Sequence, residues 1–114
     1  MHIFNSELQF NLDTYSCLGA LTFQTRRTKS LPVTTVLTFA DARAFEIQHI
    51  CEGLIVEVES PEQFLGLRPI LRSILESGLN CYVLRTKGWE GYIIAGAFYH
   101  EERKIVFTNY ESRL

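Results

Sequence analysis

The sequence predicts one domain of the α+β class, built on an antiparallel, strongly curved sheet of about six strands with helices packed on one face. Three observations lead to this prediction. Apolar and polar residues alternate in several short runs, which is typical of half-buried strands. One segment, 61–77, repeats its apolar residues at helical spacing. The whole chain, 1–114, is long enough to bury one shared core and too short for two.

Composition and charge narrow the class of protein. Hydrophobic residues make up 46% of the chain and charged residues 21%, as in ordered globular proteins. The net charge of −2 provides no global attraction to phosphate backbones or anionic lipid. No apolar run approaches the roughly 18 to 20 residues of a membrane span, and the N-terminus lacks the pattern of a secretory signal. We therefore expect a cytoplasmic protein without membrane contact.

Strands are predicted for the first half of the chain. Apolar and polar residues alternate strictly over 8–12 and again over 21–24, so an N-terminal hairpin is expected. The basic segment 26–32 ends in a proline and predicts a loop. The run 33–39 is rich in β-branched residues and predicts a third strand. A further strand is predicted over 54–59.

Two interpretations of the segment 41–52 stay open. As a helix, it would be capped by Asp41 and ended by Gly53. As a strand, it would place Phe45 and Ile47 on the same face. Strong helix formers and both stop signals favour the first interpretation, so we predict a second helix over 41–52.

The clearest helical pattern covers 61–77. Ser60 is suited to cap this helix, Pro61 to occupy its first position and Gly78 to end it. Pro69 removes a backbone donor inside the helix and therefore predicts a kink. The apolar stripe consists of Phe64, Leu67, Leu71 and Ile74.

The last third of the chain predicts an antiparallel meander of strands over 81–87, 92–99 and 104–109. The middle run has no charged residue and places apolar residues on both faces, so it is predicted to be a central strand covered on both sides. Gly96 leaves room for a close neighbour. A helix can cover one face, and the other needs the N-terminal strands or a second copy of the chain. This requirement predicts self-association as a homodimer.

A short segment, 85–91, holds two glycines, the only tryptophan and three charges between two apolar runs. We interpret it as a hairpin loop, a place where a rigid scaffold often presents functional side chains. Its residues are suited to a protein-binding surface or to a single-stranded nucleic acid. Alternatively, the tryptophan packs over the end of the sheet under a basic side chain. The candidate binding residues are Arg85, Lys87, Trp89, Tyr92, Arg68 and Arg72.

The spacing of cysteines and histidines gives little support for a metal site or a catalytic nucleophile. Cys17, Cys51 and Cys81 are widely spaced, which favours small core residues in a reducing compartment over disulfides or a zinc site. His49 and Cys51 diverge on either a helix or a strand, so they do not form a ligand pair. We therefore predict neither a metal nor a cofactor, and we name no catalytic residue.

A possible carboxylate cluster is formed by Glu57 and Glu59, which share a strand face, and by Glu62 in the next turn. Paired carboxylates can perform acid–base chemistry when their pKa values differ. Charges on a solvated strand face also discourage edge-to-edge aggregation. We favour the second interpretation.

The function that these patterns favour is that of a small non-enzymatic binding or accessory protein, which acts through contacts with a protein partner, with itself, or with both. One alternative is a small-molecule binder with an aromatic pocket lined by Phe64, Tyr82, Tyr92 and Phe98. A second is a ribonuclease-like toxin or a nucleic-acid-binding protein that uses the surface of Arg85, Lys87 and Trp89. A toxin would require His100 and Glu101 to lie near Arg85, and the apolar strand 92–99 disfavours it.

Overall fold

The computed structural model shows one antiparallel sheet of eight strands and describes residues 2–16, 19–25, 33–59 and 78–104. The strands are β1 (His2–Tyr15), β2 (Leu21–Thr25), β3 (Val33–Ala40), β4 (Ala44–Glu46), β5 (Ile50–Glu59), β6 (Asn80–Thr86), β7 (Trp89–Ala95) and β8 (Ala97–Lys104). Their order in the sheet is β4-β7-β6-β5-β1-β2-β3-β8.

The strands at the two ends of this order, β4 and β8, belong to two long chain segments that pair with each other. β7 and β8 are halves of one extended run interrupted at Gly96, and β3 and β4 are halves of another interrupted at 41–43. β8 pairs with β3, while β7 pairs with β4. The Gly96 N–H donates to the Ala40 carbonyl at 2.8 Å, and the Arg43 N–H donates to the Ile94 carbonyl at 2.9 Å. Backbone bonding therefore continues through the bend, and the sheet closes around a single interior.

Aromatic side chains from several strands meet inside this closed sheet. The ring of Phe39 on β3 lies 4.9 Å from that of Phe98 on β8 and 5.6 Å from that of Tyr82 on β6, measured between centroids. Phe98 also meets Phe4 on β1 at 6.1 Å. Edge-to-face and tilted ring contacts of this kind each contribute about 0.5–1.5 kcal/mol beyond the area that they bury. The fully enclosed side chains around them include Phe10, Phe23, Leu37, Leu84 and Ile93.

A second, smaller apolar cluster lies on the opposite face of β6 and β7. Successive strand residues point to opposite faces. Because Tyr82 and Ile93 point into the interior, their neighbours Cys81 and Ile94 point outward, and both are fully buried. Tyr92 packs against this outer cluster. The sheet is thus buried on both faces at β6 and β7, which confirms the prediction for the first part of the charge-free run 92–99. At the end of that run the prediction is wrong, because Tyr99 is 61% exposed.

The predicted α+β class is wrong, because the described residues contain strands and no helix. The segment 41–52, predicted as the second helix, holds β4 and the beginning of β5. Asp41 adopts a left-handed φ of 54°, so it turns the chain where a helix cap was expected. The helical propensity of this segment is overridden by backbone pairing with β7. The predicted helix 61–77 lies outside the described residues. No helix in the described ranges is long and apolar enough to cross a membrane.

The predicted strand pairings are confirmed at the N-terminus and corrected at the C-terminus. β1 and β2 form the expected hairpin, with Leu12 opposite Phe23. β6 and β7 also pair, but the predicted middle strand 92–99 is divided at Gly96, and its second part begins β8, which continues through the predicted loop 100–103 and pairs with β3. The predicted third strand, 104–109, lies outside the described residues beyond Lys104. The N-terminal strands supply the cover that the run 92–99 required, since Phe4 packs against Phe98. Self-association stays a prediction and no longer follows from that requirement.

The closure depends on close packing between β7 and β4, which the variant Gly91→Ala tests. A Cβ atom at Gly91 would lie 2.3 Å from the Glu46 carbonyl oxygen and 2.9 Å from Cζ3 of Trp89. We expect this variant to lower the free energy of unfolding by about 3 kcal/mol, the upper end for overpacking. Urea unfolding followed by the fluorescence of the single tryptophan measures the loss.

The matched control is Gly88→Ala in the adjacent turn. Gly88 has a left-handed φ of 94° and no neighbour within 4 Å of an added Cβ, so only backbone strain of about 1 kcal/mol is expected. Equal losses in the two variants would show that β4 does not pack closely against Gly91.

Candidate binding surfaces

The hairpin that joins β6 to β7 has a two-residue turn. Thr86 pairs with Trp89, which leaves Lys87 and Gly88 at the tip. The φ of Gly88 is 94°, a conformation that glycine adopts without the steric penalty of a side chain. The predicted hairpin is therefore present, and its rigid turn holds the side chain of Lys87 at the surface.

Trp89 closes one end of the interior. Its indole Nε1–H donates to the Ile50 carbonyl at 2.8 Å, and its ring packs against the interior cluster. The missing side chain at Gly91 makes room for that ring. Tyr92 lies on the other face of the same strand, against the outer cluster. The structure thus separates the two aromatic candidates. Trp89 packs over the end of the sheet, as in the intramolecular alternative, but Arg85 lies on the opposite face and does not cover it.

Arg85 is surrounded by three carboxylates on the outer face of the sheet. Its Nε donates to Glu57 at 2.6 Å and its Nη1 to Glu90 at 2.5 Å, while Nη2 lies 3.6 Å from Glu59. The hydrogen bond that Arg85 donates to Glu57, followed by the charge of Glu90, raises the pKa of Arg85. Only 14% of the Glu57 side chain and 17% of the Glu59 side chain are exposed. These two carboxylates therefore hold the guanidinium, and the interpretation of them as a solvated face is corrected.

An open groove of about 490 Å³ lies beside the hairpin turn. Its walls are residues 5–7 of β1 and residues 85–87, and its floor is residues 52–55 of β5. The β1–β5 register shifts between Ser6 and Gln9, so β1 carries one extra residue there. Gly53, with a φ of 70°, lies opposite this bulge. Arg85 and Lys87 thus lie together at a groove that the sequence did not predict.

A second surface is formed by the exposed aromatic pair Tyr15 and Phe45. The two rings meet edge to face at 5.2 Å, and the Tyr15 hydroxyl donates to the Ala42 carbonyl at 3.1 Å. Exposure reaches 53% for Tyr15 and 38% for Phe45. Sequence analysis missed this pair, because Phe45 was assigned to a helix. The only sequence signal for it was the alternative interpretation of 41–52 as a strand.

The remaining candidates are dispersed. Tyr82 and Phe98 contact each other in the interior at 6.0 Å, on the opposite face from Tyr92, so these three do not line one pocket. The His100 ring contacts Phe4 and Phe98, while Glu101 accepts a hydrogen bond from Arg103 at 2.9 Å. The other proposed site residues, Phe64, Arg68 and Arg72, lie outside the described residues.

The two described cysteines are enclosed on opposite faces of the sheet. Cys51 belongs to the interior cluster and Cys81 to the outer cluster. Burial raises the pKa of the Cys51 thiol to about 12, and burial together with the Glu59 charge raises that of Cys81 to about 11. A thiolate is the form that attacks substrates and binds metals, so neither environment activates its cysteine.

Comparison of the chain with protein-family models, with curated proteins and with solved structures found no match. The groove beside the hairpin and the aromatic pair Tyr15 and Phe45 are therefore the features from which a function can be inferred.

A first prediction concerns the balance of charge around Arg85. The variant Arg85→Met leaves three carboxylates without their cation, and we expect a loss of about 1 kcal/mol of unfolding free energy, as for a partly exposed ion-pair network. Added salt should recover part of this loss, because it screens the repulsion between the carboxylates. Urea unfolding at low and high NaCl concentration measures both effects.

The control for this measurement is Arg103→Met. Arg103 and its partner Glu101 are both mostly exposed, so the expected change is within about 0.5 kcal/mol, with little dependence on salt. A loss at Arg85 no larger than that at Arg103 would contradict a structural role for the Arg85 network.

A second prediction concerns alkaline pH. Because the folded-state pKa of Cys51 lies above the ordinary value of 9.0, its contribution to stability is complete below pH 9.0 and is lost as the pH rises toward about 12. The variant Cys51→Ala should be less stable by about 1 kcal/mol at neutral pH, because it leaves a small cavity. It should lose less stability than the wild type above pH 9.0, as measured by urea unfolding. Parallel losses in both proteins would contradict the prediction.

Proposed function

We propose that this chain is a non-enzymatic cytoplasmic binding protein that acts through protein–protein contacts, and that one partner is a second copy of itself. The single observation that carries the proposal is the exposed pair Tyr15 and Phe45 beside β4. Exposed aromatic residues are enriched where proteins associate. A homodimer formed through this pair is the form of the proposal that can be tested directly.

Backbone pairing favours the same location. β4 and β8 stand at the two ends of the strand order, so each has one edge without a strand partner among the described residues. Such edges can pair with another chain unless they are blunted. On β8, the exposed residues Glu101, Glu102 and Arg103 oppose such pairing. On β4, the exposed side chain at the middle of the strand is Phe45.

A two-fold axis perpendicular to the sheet would place two β4 strands side by side. In antiparallel pairing, directly opposed residues lie on the same face, and a two-fold axis can place Phe45 opposite Phe45 of the second copy. Cross-strand aromatic pairs contribute about 0.2–1 kcal/mol each relative to alanine pairs. β4 has three residues and offers few backbone bonds, so the dimer is expected to be weak.

The surface of Arg85 gives less support to nucleic-acid binding. Phosphate recognition requires cations that are free to pair with phosphate oxygens. The guanidinium of Arg85 already faces Glu57, Glu59 and Glu90. A protein partner remains the proposal that agrees with the surrounding charge.

Sedimentation equilibrium over the micromolar range tests self-association. The wild type is expected to populate a dimer, and Phe45→Ser is expected to weaken it by about tenfold, the equivalent of about 1.4 kcal/mol. Tyr99→Ser is the matched control, because Tyr99 on β8 is 61% exposed and pairs with Thr38 of β3 and not with β4. It should leave the dimer unchanged.

Two outcomes would overturn the proposal. One is a wild-type protein that remains monomeric throughout this concentration range. The other is an equal effect of Phe45→Ser and Tyr99→Ser on association. Urea unfolding of both variants verifies that each remains folded, so that loss of association is not caused by loss of structure.

A further inference from the structure

The groove beside the hairpin has two carboxylates at its rim that no group in the described part of the chain neutralises. Glu7 on β1 and Glu52 on β5 are both exposed, and neither carboxylate has an ion-pair or hydrogen-bond partner among the described residues. The Lys87 ammonium is likewise unpaired there, although its backbone N–H donates to the Glu52 carbonyl at 3.2 Å. Ionic groups that face an open groove without partners are available to a ligand.

The charge around the groove is negative. Arg85 lines the groove, but Glu57, Glu59 and Glu90 already surround its guanidinium. Together with Glu7 and Glu52, these three glutamates make five carboxylates against the two cations Arg85 and Lys87, a net charge of −3. Such a potential attracts cationic groups and repels anionic ones.

The shape of the groove suits an extended chain. The Ile55 side chain is the apolar part of its floor, since Leu54 is enclosed in the interior, and Gly53 adds no side chain opposite the β1 bulge. An extended segment points alternate side chains to opposite sides, so it can rest apolar groups on the floor while its backbone meets the polar walls. Asn5 and Thr86 provide uncharged polar groups in those walls.

We propose that this groove binds an extended, lysine- or arginine-bearing segment of a partner protein. The cationic side chains of the segment pair with Glu7 and Glu52, and an apolar side chain lies over Ile55. The Lys87 ammonium repels cationic side chains. The groove therefore favours segments that have no positive charge next to Lys87. The groove is separate from the aromatic pair Tyr15 and Phe45, so this proposal does not depend on self-association.

Fluorescence anisotropy with a short labelled peptide of alternating lysine and valine tests the proposal. The expected binding is lost with acetylated lysines and with glutamate in place of lysine. Glu7→Gln and Glu52→Gln should each weaken binding by about two- to fivefold, the effect of one exposed ion pair. Lys87→Gln should strengthen it by a similar factor, because it removes a like charge. Glu102→Gln, an exposed carboxylate on β8, should leave binding unchanged.

Amide NMR locates the binding site. Saturation with the lysine–valine peptide should shift the signals of Gly53 and Thr86 and leave that of Tyr99 unchanged. Repeating the anisotropy measurement in Phe45→Ser should give the same affinity, which separates the groove from the dimer contact. Urea unfolding verifies that each glutamine variant keeps its fold.

Three results would overturn the proposal. The first is tighter binding of the glutamate peptide than of the lysine peptide, which would indicate an anionic partner. The second is equal weakening by Glu7→Gln and Glu102→Gln, which would show that attraction is spread over the whole surface. The third is binding that leaves the signals of Gly53 and Thr86 unchanged.

Discussion

The fold depends on one corner, where two paired chain segments bend together. Gly96 and Asp41 face each other there, and a Cβ on Gly96 would lie 3.4 Å from the Cβ of Asp41. The left-handed φ of Asp41 lets β3 turn into β4 while Gly96 lets β7 turn into β8. The Ala42 N–H donates to the Gly19 carbonyl at 2.7 Å, which fastens the corner to the loop between β1 and β2. Without this bend, the same strands would form an open sheet with no enclosed interior.

Closure of the sheet determines which side chains can act at the surface. Trp89 and Arg85 lie close in the sequence but on opposite faces, so closure takes the tryptophan inside and leaves the arginine outside. Burying a carboxylate without a partner is costly. Glu57 and Glu59 are mostly buried, and Arg85 compensates them. Arg85, which the sequence suggested as a binding residue for anions, therefore neutralises Glu57 and Glu59. The groove beside it keeps a net negative charge.

Local patterns predicted those parts of the fold that local forces determine. The alternation around Phe10 and Phe23 and the glycine of the Lys87–Gly88 turn each fix a pairing between neighbouring segments. The segment 41–52 was predicted wrongly, because its pairing with β7 joins residues about fifty positions apart and outweighs its helical propensity. The aromatic pair of Tyr15 and Phe45 and the carboxylates around Arg85 depend on the same long-range closure. No pattern within one segment shows them.

The two proposed surfaces have a joint consequence, because the dimer contact and the groove belong to one continuous sheet. β4 pairs with β7, β7 with β6 and β6 with β5, so the rigid ladder between Phe45 and the groove is three strand pairings wide. A two-fold dimer through β4 would therefore hold two acidic grooves at a fixed separation. A partner with two cationic segments would bind the second groove intramolecularly, and such linkage can raise avidity about 10²- to 10⁴-fold without a new contact. Weak ion pairs at each groove would then be sufficient for stable binding, and a partner with one segment would dissociate readily.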